Sequence, residues 1–193
     1  MIEKFGAVVY DRQALLTALF RETDRMQRMK YPMSIVLFGI EGLNDWRAHL
    51  GERACEAMLS EVATRTEALL RSYDLLGRPN AEQFFVGLPA CDTARAMELA
   101  MRVRTEVFGS PFKVSGEPVF LAACFGVAAS HGRSPVVVLV EAEKALQRAL
   151  AAGPETIQCV DSLMSQPLSP FVSLSVSLAS GSNEGDDQIT PRG

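Results

Sequence analysis

Arg71 and Asp74, spaced as R-S-Y-D, put two groups of opposite charge three residues apart. Arginine offers a planar fork that matches a phosphate or the O6/N7 edge of guanine, and an aspartate accepts from donors such as guanine N1–H and N2–H. Arg102 lies downstream on a polar face with Arg95, Glu98 and Glu106 and offers a second fork. A second set of groups is acidic: Glu41, Glu56 and Glu82. Carboxylate oxygens at tight octahedral positions are what Mg²⁺ requires. Glu41 stands two residues after Gly39, and residues two apart in a strand face the same way. Other chemistries find no support. Cys55, Cys91, Cys124 and Cys159 form no C-x-x-C pair, so neither a zinc knuckle nor a dithiol motif is written here. His49 and His131 lack metal partners and read as surface or loop residues. No Ser-His-Asp or Cys-His constellation can be assembled. The reading predicts no cofactor and no metal site.

The elements that must position these groups follow from periodicity. Leu15, Leu16, Leu19, Phe20 and Met26 recur at helical spacing over 12–30. The run 33–40, MSIVLFGI, is short, β-branched and nearly all apolar, as a buried central strand is. Residues 51–70 form an amphipathic helix through Cys55, Met58, Leu59, Val62 and Leu69. A short apolar piece after Asp74, a break at Pro79-Asn80 and the run 83–89 predict two strands joined by a tight turn. Residues 92–108 are helical, with Met97, Ala100, Met101 and Val107 inward. A strand over 119–128, a helix over 135–152 ended by Gly153-Pro154, and a strand over 156–160 complete the order. Met26, Met29 and Met33 are read as core. This alternation predicts an α/β (α+β) domain with a central mixed sheet flanked by helices.

The chain has 193 residues, enough for one domain with a full core. Its formal net charge of −4 provides no global basic field for nucleic acid or anionic lipid. No apolar run is long enough to span a bilayer, and the first residues lack the apolar core of a signal peptide. Scattered cysteines suit a reducing compartment, so the expectation is a cytoplasmic protein without nucleic acid or membrane insertion. The organisation expected is an N-terminal extension over 1–10, a domain over 11–160, and a Ser/Pro/Gly-rich tail over 161–193 with the composition of disorder. Within that tail Val172, Leu174, Val176 and Leu178 alternate with serines, which leaves an added edge strand or a partner-binding segment open.

The segment DLLGRPNAEQFFVGLP resembles the GGDEF family's D-x-x-x-R-[YFLW]-G-G-[DE]-E-F-x-x-x-L-P, with Asp74, Arg78, Glu82, Phe84, Leu88 and Pro89 in place. GIEGLNDWRAHLG (39–51) is similar to the family's D-x-D-x-F-K-x-I-N-D-x-x-G at Ile40, Glu41 and Gly51. Asp11-Arg12 stands at the family's Asn-Arg, and ALQRALAAG (145–153) resembles its closing A-L-Y-x-A-K-x-x-G-R. These partial matches occur in the family's order and spacing over residues 11–160. The resemblance implies a nucleotidyl-cyclase, palm-like fold with a five-stranded sheet.

It also implies which chemistry has been lost. The first metal-ligand position of the family is Gly39, which has no side chain, leaving Glu82 with only Glu41 to compensate. The two signature glycines are Asn80 and Ala81, which put side chains where phosphates approach backbone, although Asn tolerates positive φ. The second acid of the signature is Gln83. The family's guanine-reading Asn and acid are Arg47, a pure donor, and Glu56. Its phosphate-clamping Lys and Arg are Leu150 and Pro154, and Trp46 replaces an aliphatic position where it fills an emptied pocket. By contrast, Arg71, Asp74 and Arg102 match the family's inhibitory site for cyclic di-GMP. The Arg71-to-Asp74 spacing equally suits a solvated helix end.

Three functions are compatible with these residues. One is a non-catalytic cyclic di-GMP receptor. Another is a nucleotide-independent interaction domain with a protein partner or a second copy of itself. The third is a residual cyclase using Glu41 and Glu82. The composition change after Val160 yields a prediction: deleting residues 161–193 leaves the thermal unfolding midpoint within a few degrees of the full chain. A large drop would make 172–178 part of the sheet.

Overall fold

The structure, a computed structural model, describes residues 9–160 apart from 115 and 131. The expected N-terminal extension up to residue 8, His131 and the whole 161–193 tail lie outside the described residues.

Helix α1 (Arg12–Met29) starts where the Asp11 carboxylate accepts from the Ala14 N–H at 2.9 Å, a side-chain cap on an otherwise orphan donor. Strand β1 (Met33–Ile40) follows and is buried along its whole length. Helices α2 (Leu43–Leu50) and α3 (Glu52–Glu67) meet at Gly51, whose φ of 80° suits glycine. Strands β2 (Leu75–Gly77) and β3 (Gln83–Pro89) form the expected hairpin. Helix α4 (Thr93–Arg102) runs into a π-helical turn, Val103–Val107. A small hairpin of β4 (Phe112–Val114) and β5 (Glu117–Val119) precedes β6 (Ala123–Ser130), α5 (Pro135–Ala152) and β7 (Ile157–Val160).

The main sheet has the order β2-β3-β1-β6-β7. Strand β1 is antiparallel to both neighbours, with Gly39 opposite Gln83 on β3 and Cys124 on β6. Strands β6 and β7 are parallel, as expected where α5 is the crossover between them. Alternation along β1 and β6 divides two cores. Val36, Phe38, Ile40, Phe125 and Val127 face α3, α4 and the small hairpin, while Ile35, Leu37, Cys124 and Ala128 face α1 and α5. Phe38 is the hub of the larger core. Its ring stacks on Phe84 with centroids 5.0 Å apart and meets Phe125 at 5.3 Å.

Several expectations need correction. Residues 43–50 are helical, and the 112–119 hairpin exists; neither was anticipated. The strand expected over 119–128 lies at 123–130 because β5 ends at Val119. Helix α3 ends at Glu67, short of Leu69. Met101 is 43% exposed, since the buried stripe of this helix runs through Ala96, Ala100, Val103 and Val107 and Met101 sits one residue off it. Met26 and Met33 are core, but Met29 is 54% exposed at the last turn of α1. Phe20 is likewise exposed.

Gly126 on β6 lies under α5. A Cβ there would collide with the backbone of Ala142 and Leu146, and backbone cannot rotate aside as a side chain does. Gly126→Ala is therefore expected to destabilise the domain by about 2 kcal/mol or more, read as a lower denaturant midpoint. Unchanged stability would mean that α5 is not seated on this strand.

Candidate functional site

The Arg71–Asp74 segment is a closed turn beyond the end of α3, correcting the expectation that it ends the helix. The Arg71 N–H donates to Asp74 Oδ2 at 2.8 Å, and the Asp74 N–H donates back to the Arg71 carbonyl at 3.1 Å. This is the local side-chain-to-backbone bonding that Asp favours in turns. It fixes Asp74 just before β2, while the Arg71 guanidinium points to solvent and bonds the Tyr73 hydroxyl at 3.1 Å. Across from this turn stands the first half of α4, started by the Asp92 carboxylate accepting from the Arg95 N–H at 2.9 Å.

Between the two lies a cleft of about 230 Å³. Its rim carries Arg71, Asp74, Arg95, Glu98 and Arg102, and its floor is Leu69, Leu88, Cys91 and Leu99. Arg71, Asp74 and Arg102 therefore line one cavity although 31 positions of sequence separate the first from the last. Arg102 is paired with Glu106 at 3.3 Å. Partial burial pushes the Asp74 carboxyl above the usual aspartate range; the Arg71 N–H and charge oppose this. Burial, with Asp92 adding to it, pushes the Cys91 thiol up to about 11. Cys91, Arg95 and the apolar floor escaped the sequence reading. Arg95 was visible only as one charge on a polar face, seven residues and hence two helical turns before Arg102.

The positions at the far end of β1 are arranged differently. Gly39 has room: a Cβ would stand 3.6 Å from the Glu82 carbonyl, an ordinary contact. Glu41 reaches the same face, since Cys124, which it bonds, pairs with Gly39 across the sheet. Strand β1 stops at Ile40, and the Glu41 carboxylate turns to accept from the Glu155 N–H and from Cys124 Sγ, both at 3.0 Å. Burial and this carboxylate together raise the Cys124 thiol to about 11. Glu82 is exposed. Among the described residues no three His, Cys, Asp or Glu side chains gather closely enough to hold a metal ion.

Glu56 is held by Arg78, whose two terminal nitrogens donate to its carboxylate at 2.8 and 3.0 Å. This bidentate pair holds the Glu56 carboxyl below the usual range. Arg78 also bonds the Ala81 carbonyl at 3.2 Å, tying α3 to the β2–β3 turn. That turn needs no positive φ at Asn80 or Ala81, contrary to the backbone freedom expected there. Asn80 closes it instead: Oδ1 accepts from the Glu82 N–H at 2.9 Å and Nδ2 donates to Gln83 Oε1 at 2.9 Å. Arg47 bonds Asn44 at 3.2 Å and pairs with Glu52. Trp46 is half-buried against the larger core, His49 and Leu150 are exposed on α2 and α5, and Pro154 is exposed beyond α5.

Comparison with known proteins agrees with this geometry at the level of fold and family. Diguanylate cyclase DgcP of Pseudomonas aeruginosa is 28% identical over 149 residues, which cover 77% of this chain and 22% of that protein. The response regulator PleD of Caulobacter vibrioides is 31% identical over 126 residues, 63% of this chain and 28% of that one. The chain thus spans about a quarter of the length of each relative. Among solved structures, diguanylate cyclase SiaD in complex with its activator SiaC from P. aeruginosa superposes with a TM-score of 0.73 at 27% identity, covering 79% of this chain and 58% of that chain. The GGDEF domain of DgcB from Caulobacter crescentus, in complex with c-di-GMP, gives 0.74 at 16% identity over 82% and 96%, a likeness of fold alone. No helix among the described residues is long and apolar enough to cross a membrane. The family model "Diguanylate cyclase, GGDEF domain" matches residues 7–156, and with the sheet order and the Arg78-to-Pro89 segment in place, this chain belongs to the GGDEF domain family.

Proposed function

We propose that this GGDEF domain does not synthesise cyclic di-GMP but binds it, in the cleft between the Arg71–Asp74 turn and α4. The observation that carries the reading is the convergence of Arg71, Asp74 and Arg102 on one cavity. Two guanidinium forks suit the phosphates or the guanine O6/N7 edge, and Asp74 accepts from guanine N–H groups. The apolar floor gives a base a surface to lie on.

The case against turnover rests on the opposite end of β1. Joining two GTP molecules requires divalent metal on the triphosphate and positive charge on the leaving group. Glu41 is committed to Cys124 and Glu155. Glu56 is committed to Arg78, and Asn80 fills its own turn. Leu150 and Pro154 bring no charge. A second reading, a nucleotide-independent interaction domain, is favoured by the exposed Phe20 on α1 and Val136, Val137 and Val140 on α5. These helices share one face of the sheet.

Calorimetric titration with cyclic di-GMP should give saturable binding with a Kd of about a few micromolar, roughly −7 to −8 kcal/mol. Arg71→Ala should weaken it at least about tenfold, and Arg102→Ala by less. Absence of saturable heat at several hundred micromolar would remove the receptor reading in favour of the interaction domain. Incubation with GTP and Mg²⁺ or Mn²⁺ should yield no cyclic di-GMP. Nor should Gly39→Asp, whose Cβ meets only ordinary contacts but which restores one group of a set that acts together. Product from the native chain, lost on Glu82→Ala, would establish a residual cyclase.

A further inference from the structure

The cleft holds more positive charge than the sequence motif accounts for. Three guanidiniums, from Arg71, Arg95 and Arg102, face two carboxylates, from Asp74 and Glu98. Two further carboxylates stand beside the cleft, Glu106 paired with Arg102 and Asp92 capping α4. The three arginines are not equally committed. Arg71 bonds Tyr73, and Arg102 pairs with Glu106. No hydrogen bond or ion pair between described residues engages the Arg95 side chain; only its backbone N–H is used, in the Asp92 cap.

Arg95 and Arg102 are seven residues apart on one helix, which places them on the same face at a rise of about 10 Å. Glu98 lies between them, one turn from each, and also lines the cleft. Helical spacing would allow Glu98 to pair with either arginine, yet it makes no ion pair with them. Arg102, at the rim, pairs with Glu106 instead. The helix thus presents to the cleft two cationic forks with an unneutralised carboxylate between them.

We infer that Arg95 is a further ligand-binding residue of this cleft, supplying the contact to a second anionic group of the bound ligand while Arg71 and Arg102 serve the first. The class of ligand is one with two phosphates held apart by a rigid frame, as a cyclic dinucleotide has. Glu98 opposes the phosphates by like charge and sets an upper limit on how tightly a dianion is held. This inference rests on the receptor reading and adds to it a residue outside the Arg71, Asp74 and Arg102 set.

Both side chains are exposed, so their replacement leaves the core untouched. The test is calorimetry of cyclic di-GMP with the full chain, Arg95→Ala, Arg95→Lys and Glu98→Gln, each at several salt concentrations, with thermal melts as the folding control. Arg95→Ala should weaken binding about tenfold, or about 1.4 kcal/mol, and flatten the salt dependence of the Kd. Arg95→Lys should retain the salt dependence and recover part of the affinity, because charge survives and the fork does not. Glu98→Gln should tighten binding. Native affinity and native salt dependence in Arg95→Ala would overturn the inference and leave the receptor reading intact. Absence of binding by the native chain would instead remove the receptor reading, and this one with it.

Discussion

Strand β1 has no face toward water. Each of its eight residues is buried, and both edges are paired. A segment of this kind must satisfy every polar group internally. Its one polar side chain, Ser34, does so by donating to the Cys91 carbonyl at 2.8 Å. That bond ties the start of the central strand to Cys91, two residues beyond β3, in the floor of the cleft. The same burial fixes the other end of the strand. Gly39 is held between Gln83 and Cys124, so the hairpin turn and the loop after α5 are brought beside it by register. The cleft and the β2–β3 turn beside Gly39 are thus two ends of one constraint.

At the Gly39 end, polar side chains are bonded to one another. Arg78 is bidentate to Glu56 and reaches the Ala81 carbonyl. Asn80 closes its turn from within. Glu41 takes a backbone N–H and a thiol. Polar groups in a half-buried setting cost stability unless they find partners, and these have found each other. The turn is therefore held without the two glycines. At the cleft end the reverse holds: among the described residues no hydrogen bond or ion pair engages the Arg95 or Glu98 side chain.

Elements with a strong period were legible in the sequence. Strand β1 and helix α5 lie over 33–40 and 135–152 as read; an unbroken apolar run marks the first, while the second, whose VVVLV run alone could be a strand, was placed by its context and its Gly153-Pro154 end. Helix α2 was not legible. It has eight residues, buries only Leu43 fully, and starts at Gly42 without a side-chain cap. The β4–β5 hairpin has three residues per strand, too few to show alternation. For the cleft, the R-x-x-D spacing and the place of Arg102 pointed to one ligand site, whereas its floor depends on tertiary contacts with no local pattern. Glu41 lies on the face of Gly39 as read, but its bonds to Cys124 and the Glu155 N–H depend on tertiary contacts that leave no local pattern. Asn80 was credited with backbone freedom when its side chain did the closing.

The cleft floor carries a thiol, and the region behind Glu41 carries another, each displaced to about 11. At neutral pH a thiol of that acidity exists as thiolate in only about one molecule in ten thousand, and thiolate is the species that attacks oxidants and electrophiles. Burial thus holds Cys91 in the neutral thiol form, the form less reactive toward oxidants. The floor of the cleft is in that sense an apolar surface rather than a reactive one.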